Sequence, residues 1–274
     1  YFGPEAIFSW KDLLEKIEHI STVSGGSLFT GLLFQMSDYK WPDKKRYLAD
    51  VLPNVRRLLT TKSLQRDAVC RFLLNPINWC LLISRANVFA KCIEHLWGIS
   101  ATIGNLPTRP VWSINGTTAE NGRRFRFKNK SMGDYEIGYA DANKFKLAAA
   151  MAVSAALPGS IGPLRVDATR YQWHSHEKWG SSHPVKSELP KYRTLHLYDG
   201  GIYDNLGIEP LFDIGKQQMK DNIQESINFL VVSDAGARYQ RGVIPVPFSP
   251  CRLKRVLDVT TDQTRALRVR SFVN

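Results

Sequence analysis

Two short stretches hold the residue types that acyl transfer needs. The first is Ser21-Thr22-Val23-Ser24-Gly25-Gly26-Ser27, which follows Ile17-Glu18-His19-Ile20 and precedes Leu28-Phe29-Thr30-Gly31-Leu32-Leu33-Phe34. The leading flank reads as a short buried strand and the trailing flank as the start of an apolar helix. A serine on the corner between them would sit on a nucleophile elbow. Its Oγ would be exposed at the strand's carboxyl end, facing the positive end of the helix dipole. The usual elbow is G-x-S-x-G, and Thr22 stands here in place of the first glycine. The same Gly/Ser-rich turn also suits a helix N-cap or an anion-binding loop. The second stretch, Leu195-His196-Leu197-Tyr198-Asp199-Gly200-Gly201-Ile202-Tyr203-Asp204-Asn205-Leu206-Gly207, reads as a strand ending in a carboxylate and a glycine pair, then a turn.

Together, Val23-Ser24-Gly25-Gly26-Ser27 and the segment from Asp199 to Gly207 resemble the patatin-like phospholipase family. Two further segments lie between them in the family's order. Asn115-Gly116-Thr117-Thr118 with Asn121-Gly122-Arg123-Arg124-Phe125 resembles its central strand and following hairpin. Residues 149–163 (AAMAVSAALPGSIGP) resemble its helix-then-proline stretch. The resemblance implies a three-layer α/β/α fold on a mostly parallel sheet. It also implies a lipid acyl hydrolase working through a Ser-Asp dyad, Ser24 as nucleophile and Asp199 as base, with no cofactor and no metal. An unperturbed carboxylate, pKa about 3.9, is a weak base at neutral pH. Asp199 must therefore be raised by desolvation. Gly25 is the expected oxyanion donor, with Gly26 beside it. Gly200 and Gly201 keep side chains away from the acid and the substrate, and Asp204 and Asn205 close the turn.

The resembled family also carries a G-G-G-x-R-G loop on an earlier strand, and no such run precedes Ser24. The chain starts at Tyr1 and stops at Asn274. The expectation is a single truncated domain over 1–274, without its N-terminal strand and with an incomplete oxyanion hole, weakly active or inactive by itself.

The elements that must position the two stretches follow from periodicity. Residues 10–19 have helical spacing and lead into a strand at 20–23, which puts His19 on the far side of the sheet from the chemistry. A buried helix runs to Met36, a loop covers 37–43, and an amphipathic helix at 44–59 is disturbed at Pro53. Residues 64–99 match nothing in the family. They read as a helical hairpin on the core or as a lid anchored at a membrane by Trp79, Phe89 and Trp97, flanked by Arg71, Arg85 and Lys91. Strands are expected at 111–115 and 123–127, the second a charged edge strand, then an Ala-rich helix at 141–156. Residues 166–192 form a polar insertion. Its His174, His176 and His183, with Asp167 and Glu177, match no metal-ligand spacing. A strand at 194–198 delivers Asp199. A helix is expected at 208–219 and a buried parallel strand at 227–232 ending near Asp234, a runner-up acid. A basic helix at 252–270 packs on the sheet or lies on a membrane.

With 274 residues there is room for one large α/β domain. Lys and Arg number 37 against 25 Asp and Glu, a net charge of +12. No zinc-finger spacing or aromatic-basic RNA motif accompanies that charge, so an anionic membrane surface suits it better than nucleic acid. The expected partners are therefore a phospholipid or other acyl-lipid substrate and a membrane surface. Cys70, Cys80, Cys92 and Cys251 form no CxxC pair, and free buried thiols in a reducing compartment, cytoplasmic or peripheral to a membrane, are expected. An upstream targeting segment stays open. A Ser-His-Asp hydrolase of the α/β-hydrolase order needs a histidine after its acid, and none follows His196. A non-catalytic lipid binder is the alternative function.

Overall fold

The computed structural model describes residues 10–74, 85–158, 161–175, 186–188, 190–220, 227, 229–236, 242 and 250–273. A 3-10 helix, Trp10–Lys16, leads into β1 (His19–Thr22) and then α1 (Gly25–Met36). A helical arm follows: α2 (Lys44–Arg46), a π turn at Tyr47–Val51, and α3 (Leu52–Thr61), with Pro53 in the tolerated first turn. Next come α4 (Leu64–Leu74) and α5 (Arg85–Trp97). The strands β2 (Val111–Thr118), β3 (Arg124–Lys128), β4 (Ser131–Asp134) and β5 (Gly138–Asp141) precede α6 (Leu147–Ser154). Then come β6 (Leu164–Asp167), β7 (Trp173–Ser175), β8 (Lys186–Glu188), β9 (Thr194–Asp199) and the single turn α7 (Gly201–Asp204). A small hairpin, β10 (Phe212–Asp213) with β11 (Gln218–Met219), and the long α8 (Pro250–Val273) complete the described elements.

The α/β class holds, but the sheet is not mostly parallel. Its strands run β6-β9-β2-β3-β4-β5-β7-β8, each paired antiparallel to the next, and among the described residues only β1 with β2 is parallel. Tight turns between β2 and β5 make a meander, which forces antiparallel pairing where a helical crossover would allow parallel strands. Register gives the sheet two unlike faces. Trp112, Ile114, Phe125, Phe127 and Met132 face the helices and are buried. Ser113, Asn115, Thr117, Arg124, Arg126 and Lys128 stand on the other face. Thus β3 is an interior strand between β2 and β4, and not the charged edge expected from its alternation.

The apolar core lies between the sheet and α1, α5 and α6. Phe89 and Trp97 of α5 are each 5% exposed, so they are core residues and not membrane anchors. Trp79 lies outside the described residues. Of the cysteines whose surroundings are described, Cys92 is buried as expected, whereas Cys70 is exposed. The helix expected over 141–156 is shorter. Asp141 ends β5 and its carboxylate accepts from the Asn143 amide, turning the chain before α6 starts.

Residues 208–219 are not helical. Asp213 accepts from the Gly215 and Lys216 amides and closes the turn of the β10–β11 hairpin. Among its described residues, the strand expected at 227–232 also does not form. Residues 229–236 have no regular structure, and Phe229 and Val231 are 41% and 65% exposed. An apolar run becomes a strand only within hydrogen-bonding reach of a neighbour, and here a cavity lies between its described residues and β1. The polar insertion is in part sheet. Trp173 of β7 is buried at 1% with its Nε1 donating to the Ala168 carbonyl, and β8 pairs beside it. Helix α8 packs on the segment after α7: Phe272 meets the Phe212 ring edge-on, and the Arg268 guanidinium lies over the Tyr203 ring.

Candidate active site

One edge of β2 is shared by two strands that arrive from opposite directions. β1 runs parallel along its first half, ending with Thr22 opposite Ile114. β9 runs antiparallel along its second half, ending with Asp199 opposite Gly116. Their carboxyl ends therefore meet over Asn115, and the turns that leave them carry Ser24 and Asp199. The Asn115 Nδ2 donates to Ser21 Oγ and to the Thr22 carbonyl, both at 3.0 Å, and so holds the end of β1 in place.

Ser24 is a corner. Its backbone lies at φ 51°, ψ −122°, outside the regions ordinary L residues favour, at a cost of roughly 1–3 kcal/mol. Two contacts hold it there. The Ser24 amide donates to both the carbonyl and the Oγ of Ser154 at 3.0 Å, and the Gly26 amide donates to the Val23 carbonyl at 3.0 Å. Ser154 is fully buried at the end of α6 and belongs to a hydroxyl chain. Ser154 Oγ meets Ser27 Oγ, Ser27 Oγ meets Thr22 Oγ1, and the latter accepts from Trp112 Nε1, over 2.7–2.8 Å steps. The close approach of α6 beneath the elbow depends on small residues. A Cβ on Gly116 would lie 2.5 Å from Val153 Cγ1.

Asp199 is 3% exposed. Its Oδ1 accepts from the Gly201 amide at 2.7 Å. Burial pushes its pKa up to about 6, because a charged carboxylate there has lost its water. The Gly201 amide and, after it, the nearby Ser24 side chain favour the charged form and oppose that rise. Gly200 fits where no side chain could, since a Cβ there would lie 2.5 Å from the Asn115 carbonyl oxygen. The Gly25 amide opens α1 and, among the described residues, stands free of the elbow turn. Gly26 does not, because its amide is spent on Val23. Asp204 closes the following turn by accepting from the Glu209 amide.

Ser24 lies on the wall of a cavity of about 790 Å³ that runs along the edge of β1 left without a partner strand among the described residues. Phe29, Leu206, Ile208 and Leu211 line it, with Phe229 and Val231 of the irregular segment opposite. Its size is in the range of small-ligand pockets, roughly 300–1,000 Å³, and its walls suit an apolar chain.

A model of the patatin-like phospholipase family matches residues 2–212, which include both turns and the strands between them. The chain belongs to the patatin-like phospholipase family. Its members are generally hydrolases acting on lipid esters, which agrees with an apolar cavity beside a serine. No individual curated protein matches the chain.

The other candidate residues of this patatin-like phospholipase lie elsewhere. His19 begins β1, three residues before the strand's end, with its pKa lowered by burial first and then by the charge of Lys128. Asp234 is an ion-pair partner of Arg265 at 2.6 Å and caps its own turn at Gly236. Asp167 caps the turn at Thr169, and His174 sits in β7, while His176, Glu177 and His183 lie outside the described residues. Among the described residues no cluster of side chains could hold a metal ion, and no helix is long and apolar enough to cross a membrane. Sequence reasoning missed Ser154 and Asn115 as the residues that hold the elbow. A polar residue inside the Ala-rich run was the available signal for the first.

Proposed function

We propose that the protein hydrolyses fatty-acyl esters of membrane lipids, with Ser24 as nucleophile and Asp199 as general base. The observation that carries this reading is the meeting of the two strand ends, which puts Ser24 beside a buried carboxylate raised to about 6, next to an apolar cavity. A base of that pKa is ionised at neutral pH yet strong enough to accept the proton.

In the acylation step Ser24 Oγ attacks the ester carbonyl carbon while its proton moves to Asp199. The tetrahedral oxyanion is met by the Gly25 amide at the start of α1. Collapse expels the alcohol or lysolipid, which takes the proton from Asp199. Water then attacks the acyl-enzyme and gives its proton to Asp199. The fatty acid leaves as that proton returns to Ser24 Oγ. One identified oxyanion donor is few, and loss of a single donor costs roughly 10²–10³ in rate.

The net charge of +12 supports work at an anionic membrane surface. Exposed Leu52 and Leu59 on α3, with Leu48 just before it, lie among Lys44, Lys45, Arg56, Arg57 and Lys62 and supply an apolar and basic contact.

The test is labelling with a fluorophosphonate ester beside Ser24→Ala and Asp199→Asn. Label on Ser24, absent from Ser24→Ala and strongly slowed in Asp199→Asn, is the expected result. A folded protein that takes no label would refute the chemistry and leave a lipid-binding role.

A further inference from the structure

The second face of the sheet carries charge that the proposed chemistry does not use. Arg124, Arg126 and Lys128 alternate along β3 on the face away from the helices, and register places Thr117 and Asn115 beside the two arginines. Asp199 sits opposite Gly116, one position out of phase, so this cluster and the Ser24–Asp199 pair lie on opposite faces. Lys220, just after β11, joins the cluster and is felt electrostatically with Arg124 and Arg126.

Counter-charge is present, and among the described residues Asp204 Oδ1 and Glu209 Oε2 are buried without a hydrogen-bond partner. Arg268 of α8 approaches Asp204 Oδ1 at 4.0 Å and Glu209 Oε2 at 3.6 Å. The other oxygens of these carboxylates accept from the Glu209 amide and the Tyr203 hydroxyl, and Asp213 caps its own turn. Two guanidinium atoms, Arg124 Nη1 and Arg126 Nε, are likewise buried and, among the described residues, without a hydrogen-bond partner. The Arg126 guanidinium is held in place over the Tyr139 ring, its centre 4.9 Å away. An unpaired buried donor on a charged group carries a desolvation cost that proteins rarely leave unmet. Arg124, Arg126, Lys128 and Lys220, with Arg268 as a fifth cation, outnumber Asp204, Glu209 and Asp213 and leave positive charge over.

We propose that this face, around Arg124 and Arg126, is a binding site for a phosphate group. A phosphate brings several acceptor oxygens and negative charge, which two guanidinium groups take in fixed geometry. Lys128 and Lys220 supply point charges at its rim. Burial and the neighbouring arginines hold both lysines down to about 8, the sign of cations gathered without enough counter-charge. Lys220 and Arg268 also line a cavity of about 480 Å³ with Glu209 and Tyr203, whereas the two arginines are not on its wall.

The experiment measures thermal stability and titration calorimetry of the whole chain with inorganic phosphate, against chloride at matched ionic strength. A parallel arm measures sedimentation with phosphatidylcholine vesicles, with and without phosphatidic acid. The variants are Arg126→Gln, Arg124→Gln and Lys220→Gln, with exposed Lys191→Gln as control. Saturable binding of phosphate is expected, weakened at least tenfold in either arginine variant, several-fold in Lys220→Gln, and unchanged in Lys191→Gln. If Arg124→Gln loses its circular dichroism signature, Arg126→Gln and Lys220→Gln carry the comparison. Arg126-dependent binding of phosphate in solution alone assigns a soluble phosphate ligand. Arg126-dependent binding to phosphatidic acid vesicles assigns a lipid headgroup. Binding of neither probe, or binding that Arg126→Gln and Lys220→Gln leave unchanged, overturns the proposal, whatever fluorophosphonate labelling shows at Ser24.

Discussion

Replacing Asp199 by Asn should remove activity and stabilise the fold at neutral pH. The carboxyl titrates at about 6 in the folded chain against an ordinary 3.8, because burial has stripped it of water. Two units at roughly 1.4 kcal/mol each put the strain of keeping it ionised at about 3 kcal/mol. The sign follows from proton binding. Between about pH 4 and 6 the folded chain holds a proton that the unfolded chain has released. The stability from this group is therefore complete below about pH 4 and is lost as pH rises through about 6. Asn has the shape of Asp and no charge to desolvate. Its Oδ1 can accept from the Gly201 amide as Asp199 does, and its Nδ2 is a neutral donor on the side where Ser24 lies.

The assay is a pair of thermal melts for wild type and Asp199→Asn, repeated from pH 4.5 to pH 8. At pH 8 the variant should be more stable by about 1–3 kcal/mol, which for a domain of this size raises Tm by roughly 2–10 °C. The difference should shrink towards zero at the acid end. In the same window wild-type kcat/KM on a lipid ester should rise through about pH 6 to a plateau, because only ionised Asp199 can take the Ser24 proton. A variant less stable than wild type at pH 8, or a difference that ignores pH, would refute the desolvated-base reasoning.

Ser154→Ala should cost about 1–3 kcal/mol in denaturant unfolding by leaving the Ser27 hydroxyl and the Ser24 amide with fewer partners. The Ser154 carbonyl still holds the elbow, so fluorophosphonate labelling should slow several-fold and not vanish. Gly200→Ala should destabilise by about 1–3 kcal/mol, because the new methyl meets the Asn115 carbonyl, and an unchanged melting temperature would contradict the packing at that turn. Phe89→Ala should cost about 3–5 kcal/mol, as a core truncation does, where a lid residue would cost almost nothing. Leu52→Gln with Leu59→Gln should lower sedimentation with anionic vesicles without lowering labelling in solution.

How much of this was legible in the residues depended on the range of the interaction. The elbow is local: Ser24, the glycines after it and the apolar run to Met36 specify strand, corner and helix within a short span of chain. The Asp199 turn is local in the same way. The sheet is not. Arg123-Arg124-Phe125-Arg126-Phe127-Lys128 alternates, and alternation alone tells two faces apart without telling which face a later segment covers. Read in isolation it is a guarded edge, whereas in the fold it is interior, with β4 on its far side and Lys220 arriving over its polar face. Residues 227–232 fail in the opposite sense. Their apolar, β-branched run suits a buried strand, but a strand needs a neighbour within hydrogen-bonding reach, and a cavity separates the described residues of this run from β1. At 208–219 a single Asp213 with Gly215 two positions on was enough to turn the chain before a helix could nucleate.

Asn115 shows why the site could not be assembled from its two motifs alone. Neither stretch contains a residue that fixes the distance to the other, far along the chain. That distance is set by β2, whose one edge takes β1 for its first half and β9 for its second. The two strands cannot continue into each other, so each must leave the sheet at the junction. The residues that leave, Ser24 on one side and Asp199 on the other, are thereby brought face to face. Asn115 occupies the gap between the last pairs, and its amide binds the end of β1 where no further strand can. A shorter β9 would carry its acid away from Ser24, and a longer one would collide with the end of β1. The length of each strand against β2 is thus the quantity that sets where Ser24 stands relative to Asp199, and it is a property of pairing.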